Sequence, residues 1–69
     1  MKIKVNGKEK NIQLQNDKVL LSDTLEFLGY KQNTVVVEVN DLIINSKKWE
    51  SVLLKEGDKL EIVSIVGGG

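Results

Sequence analysis

The chain opens on an alternation: Ile3 and Val5 are apolar while Lys2, Lys4 and Asn6 are polar, the period-two pattern of a strand with one buried face. Asn6-Gly7 follows, a pair suited to a type I′ hairpin turn because both residues tolerate positive φ. On the far side Ile12 and Leu14 alternate with Asn11, Gln13 and Gln15, so a second strand is expected to bring Ile12 and Leu14 onto the face of Ile3 and Val5. Asn16-Asp17 ends it, and the period changes. In LLSDTLEFLGY, Leu21, Leu25 and Leu28 stand at i, i+4 and i+7, one stripe of a short helix. Ser22 or Asp23 is a candidate N-cap, Asp23 with Glu26 has the form of a capping box, and Gly29 stands where a left-handed C-terminal residue is expected.

The β-branched run Thr34 to Val39 predicts a central strand buried on much of both sides. Asn40-Asp41 is a second turn pair, Leu42 to Ile44 a brief strand, and Asn45 to Ser51, with Trp49 among charged residues, an irregular or single-turn segment. Lys55 to Asp58 reverses the chain. In the final run, Lys59 to Val66, alternation puts Leu60, Ile62, Ser64 and Val66 on one face and Glu61, Val63 and Ile65 on the other. The order ββαβββ predicts an α+β domain, a mixed sheet with one helix packed on one face.

Composition narrows what such a domain can do. A chain of 69 residues supports one small core and leaves little room for a deep catalytic cleft. Histidine and cysteine are both absent, which removes the usual general base near neutral pH, the thiolate nucleophile and the soft metal ligands. The basic residues are all lysine, and ten of them balance ten acidic ones. With three aromatic residues, Phe27, Tyr30 and Trp49, the chain is poorly equipped to read bases or stack on single strands, so nucleic acid is not an expected partner. No apolar run approaches the length of a membrane span and MKIKVNGKEK lacks the apolar centre of a signal peptide, so no membrane association and a cytoplasmic location are expected.

The hairpin with Asn6-Gly7, the helix LLSDTLEFL, the strand and turn VEVND, Trp49, the EGD turn at Glu56 to Asp58 and the ending LEIVSIVGGG occur in an order that resembles the ubiquitin-like β-grasp family. Within it the chain is most similar to the ThiS sulfur carriers of thiamine biosynthesis. The related sulfur carriers of molybdopterin synthase share the fold and a Gly-Gly ending but approach it through proline, which this chain lacks. That carrier type and the ubiquitin-like protein modifiers are the alternatives.

The resemblance implies a β-grasp domain over residues 1–66, a flexible glycine tail over 67–69, and a protein co-substrate rather than an enzyme. Gly69 is then the reacting residue: a ThiF-like adenylating enzyme, using ATP and Mg²⁺ that it binds itself, activates the α-carboxylate. Sulfur from a cysteine desulfurase or its relay makes a thiocarboxylate, and the thiazole synthase ThiG consumes it. The carrier itself is expected to bind no cofactor. Gly67 and Gly68 thread the tail into partner active sites, which glycine suits because it has no Cβ and adopts any φ. Val63 and Ile65, on the uncovered sheet face beside the tail, are the expected docking patch. Trp49 is expected to lid the core rather than meet a partner.

Overall fold

The computed structural model describes residues 1–13 and 18–65. Leu14 of the expected second strand, Val66 of the last one, and Gly67, Gly68 and Gly69 lie outside the described residues. The elements are β1 (Lys2–Val5), β2 (Lys8–Asn11), α1 (Leu21–Phe27), β3 (Val35–Val39), β4 (Leu42–Ile44), a 3₁₀ helix over Ser46–Ser51, and β5 (Lys59–Ser64). They form one mixed sheet in the order β2-β1-β5-β3-β4, with β1 parallel to β5 and the other pairings antiparallel. Among the described residues no helix is long and apolar enough to cross a membrane.

The first hairpin forms where expected, with positive φ at both Asn6 and Gly7, but its second strand is placed differently. A two-residue turn forces Val5 opposite Lys8 and Ile3 opposite Lys10, so β2 begins at Lys8 instead of Asn11, and all four of its residues are exposed. The local pattern gives no sign of it because KEKN carries no apolar position. Those charges suit its place at the sheet edge, where lysines discourage pairing with another chain. Ile12 follows β2, donates its N–H to Met1 O, and is buried as expected.

The helix also starts earlier than its sequence suggests. Leu20 is the N-cap, in extended backbone, and Ser22 and Asp23 lie within the first turn without capping it. The Leu21 N–H donates instead to Val52 O, and Leu20 bridges to Leu53, so neighbouring backbone occupies the helix start and the Asp23–Glu26 capping box is not formed. The C-terminus matches expectation. Gly29 has positive φ, its N–H donates to Glu26 O, and the Tyr30 N–H donates to Leu25 O, the paired bonds of a Schellman motif.

One face of the sheet contributes Ile3, Val5, Val35, Val37, Val39, Leu60 and Ile62 to the core, and α1 covers it with Leu21 and Leu25. Leu28, third in the stripe, is partly buried against the same cluster. The buried Thr24 hydroxyl donates to Leu20 O. The middle strand is β5, not β3. Although β3 has neighbours on both edges, it is fully buried on one face and half-buried on the other, in strict alternation. Its β-branched density reflects an interior strand on a sheet covered by a helix on one side only.

Candidate functional site

The residues that lead into the glycine tail belong to the middle of the sheet. Antiparallel pairing with β3 covers β5 from Leu60, opposite Val39, to Ser64, opposite Val35. The Ile65 N–H continues it by donating to Thr34 O. Val63 and Ile65 are 57% and 53% exposed, as the alternation predicts. Val63 stands opposite the half-buried Val36 on the face away from α1, with Ile43, 70% exposed, on the neighbouring edge strand. The chain therefore leaves the sheet beside an uncovered apolar patch.

Two carboxylates sit within that face, because the register sets Glu61 directly opposite Glu38. Like charges in opposing positions oppose sheet formation by a few tenths of a kcal/mol up to about 1 kcal/mol. Glu61→Gln is therefore expected to raise the melting temperature by roughly 1–8 °C in a domain of this size. Calorimetry of the single variant checks this; an unchanged or lowered midpoint would show that the two carboxylates do not oppose one another.

Two asparagines hold β5, and neither role shows in the local sequence pattern, which marks both only as turn residues. Asn6 donates its backbone N–H to Leu60 O, while its side chain accepts from the Ile62 N–H at 2.7 Å and donates to Ile62 O at 3.2 Å. The side-chain amide thus does what a further residue of β1 would do, just past Val5 where that strand ends. At the other end Asn40 donates its N–H to Lys59 O, its Oδ1 accepts from the Lys59 N–H, and its Nδ2 donates to Asp58 Oδ1. Asn40 and Asp41 both have positive φ, so each clamp sits in a turn of the same backbone sign. Asp58 also accepts from the Lys55 N–H, closing the reversal before β5.

Trp49 is 4% exposed and joins the core, its Nε1–H donating to Ile44 O. It is part of the packing on the helix side of the sheet. An open groove of about 310 Å³ lies there, lined by Ser22 and Glu26 of α1, Lys31, Ser46 and Glu50 among others. Val63 and Ile65 do not line it.

The chain as a whole is similar to known proteins. The sequence model of the ThiS family matches residues 3–69. An uncharacterized protein, ycf40, of Trieres chinensis is 37% identical over 94% of this chain and 85% of its own length. The sulfur carrier protein ThiS of Bacillus subtilis is 33% identical over 97% of this chain and 98% of its own. A thiazole synthase of Paramagnetospirillum magneticum is 36% identical over the whole of this chain, which corresponds to 20% of that protein. In three dimensions the chain superposes on the thiamine biosynthesis protein ThiS of Geobacter metallireducens with a TM-score of 0.81 at 27% identity, covering 100% of both. With a family model spanning nearly its full length, and a helix covering one face of a β-grasp sheet, the chain belongs to the ThiS family.

Proposed function

We propose that this chain is the sulfur carrier of thiamine biosynthesis, a protein co-substrate whose Gly69 carboxylate becomes a thiocarboxylate for thiazole formation. The observation that carries the reading is the exposed pair Val63, in β5, and Ile65, just past its end, shortly before Gly67, Gly68 and Gly69 in the sequence: an apolar handle next to residues with no side chain. A carboxylate resists substitution because oxide is a poor leaving group. Attack of a carboxylate oxygen on the α-phosphorus of ATP, with release of pyrophosphate, replaces that leaving group with AMP. A persulfide sulfur then displaces AMP, and a thiol reduces the resulting acyl disulfide to free the thiocarboxylate. The absence of histidine and cysteine from the chain fits this division, in which partners hold the nucleotide, the metal and the nucleophilic sulfur.

Thiazole synthase is the partner with further support, since a protein of that name carries a segment resembling this whole chain. Reconstitution tests the pathway. The chain, loaded with sulfur by a ThiF-like enzyme, is expected to support thiazole formation by thiazole synthase; a loaded chain that yields no thiazole, or that is instead joined to lysine amines, would reject the reading.

The docking role of the patch has its own test. Val63→Asp places a carboxylate where the partner would bury an apolar surface, and is expected to raise the KM of the adenylating enzyme for the carrier by about tenfold or more. Its kcat should stay close to that of the unaltered chain, because the tail is untouched. An unchanged KM would move the docking surface elsewhere.

A further inference from the structure

Past Leu60, the two sides of β5 are held unequally. On one side the ladder to β3 continues as far as Ser64, and the Ile65 N–H donates to Thr34 O. On the other side β1 ends at Val5, and the pairing of β5 is carried on by the Asn6 side chain, through its bonds to both the N–H and the C=O of Ile62. Ser64, two residues on, faces that same side by alternation and lies beyond the end of β1.

We propose that Asn6 is a positioning residue for the tail: its amide holds β5 at Ile62 and so fixes the strand from which the segment toward Gly69 departs. This rests on the sulfur-carrier reading, and it adds a second task to a residue that the sequence marks only as a turn former. The physical reason is the cost of order. When the carrier docks, the segment leading to Gly69 must be fixed in the partner's active site, and each backbone residue that has frayed from β5 must be ordered again. Ordering one such residue costs enough to lower a rate about tenfold. Val63 and Ile65 keep their side chains and their pairing with β3 and Thr34, so the loss is expected to fall on insertion of the tail after docking more than on docking itself.

Asn40 provides the matched control. It too occupies a positive-φ turn position and bonds the β5 backbone through its side chain, but at Lys59, the end farther from the tail. Glycine accepts positive φ at either position, so Asn6→Gly and Asn40→Gly each keep the turn and remove the clamp.

The test measures steady-state adenylation of the full chain by the ThiF-like enzyme, with amide hydrogen exchange on the same proteins. Asn6→Gly is expected to speed exchange at Ile62 to Ile65 and to lower kcat by about tenfold, with KM within about twofold of the unaltered chain. Asn40→Gly is expected to destabilise to a similar degree and leave kcat within about twofold. Asn6→Asp keeps the acceptor for the Ile62 N–H and should fall between Asn6→Gly and the unaltered chain. If Asn6→Gly does not fold, Asn6→Asp, which keeps the acceptor for the Ile62 N–H but loses the donor to Ile62 O, is compared with Asn40→Gly. Equal loss of kcat in the Asn6 and Asn40 variants would overturn the proposal by reducing Asn6 to a general stabilising role. So would faster exchange at Ile62 to Ile65 with unchanged kcat, and that result would leave the sulfur-carrier reading intact. An unaltered chain that is not adenylated at all would remove that reading and the proposal with it.

Discussion

Gly68→Val is expected to lower the rate of C-terminal activation by about 100-fold or more while shifting the melting temperature by no more than about 3 °C. Under the proposed function, Gly67 and Gly68 enter the partner's active site with Gly69, and a backbone without side chains is the slimmest path to a buried reaction centre. Valine adds two γ-carbons and a stiff χ1 to that path. A misplacement of about 1 Å at a reacting carbonyl is enough to cost about two orders of magnitude in rate. Stability is spared because every residue of the described core lies at or before Ile62. Pyrophosphate release with the ThiF-like enzyme, beside calorimetry of the same variant, separates the two effects. Activation at the unaltered rate would show that the path has room for a side chain and that slimness is not what the glycines provide.

The largest loss of stability is expected at Trp49. Its ring is almost wholly buried and its indole N–H is bonded to Ile44 O, so Trp49→Ala removes a large apolar volume and leaves a carbonyl without its donor. Substitutions of this kind cost about 3–5 kcal/mol. A domain of this length has a total stability of only roughly 3–10 kcal/mol, so the variant should be largely unfolded or melt far below the unaltered chain. Trp49→Phe keeps most of the packing and loses the hydrogen bond, for a cost of about 1–2 kcal/mol. Urea unfolding of both variants checks the order. An alanine variant as stable as the unaltered chain, yet unable to bind its partners, would reverse the assignment and make Trp49 a contact residue.

The parts of the fold that were legible in the sequence are those fixed by neighbours along the chain. Asn6-Gly7 announced a turn because positive φ is a local demand, Gly29 announced the helix end for the same reason, and Leu21 and Leu25 marked the buried stripe by their spacing. What failed either carried no apolar signal or depended on partners distant in sequence. β2 carries no apolar residue to betray it, and its position follows from turn length alone. The helix start needs no side-chain cap because the backbone of Val52 takes the Leu21 N–H. The middle place of β5 comes from a parallel pairing with β1 across more than fifty residues, and no local pattern encodes such a crossover.

The candidate site divides along the same line. Val63 and Ile65 could be assigned to the uncovered face from alternation within one strand, and the glycines from composition. The second role of Asn6 could not, because a turn residue reaching to Ile62 is visible only once β1 and β5 lie side by side. Its amide completes a ladder that the strand itself is too short to finish.

The most direct measurement is the intact mass of the chain after incubation with a ThiF-like enzyme, ATP, Mg²⁺ and a persulfide sulfur source, followed by fragmentation to locate the change. A gain equal to the replacement of one oxygen by one sulfur, confined to Gly69, is the predicted result. An unaltered mass with active cognate enzymes, or sulfur carried anywhere upstream of the glycines, would contradict it.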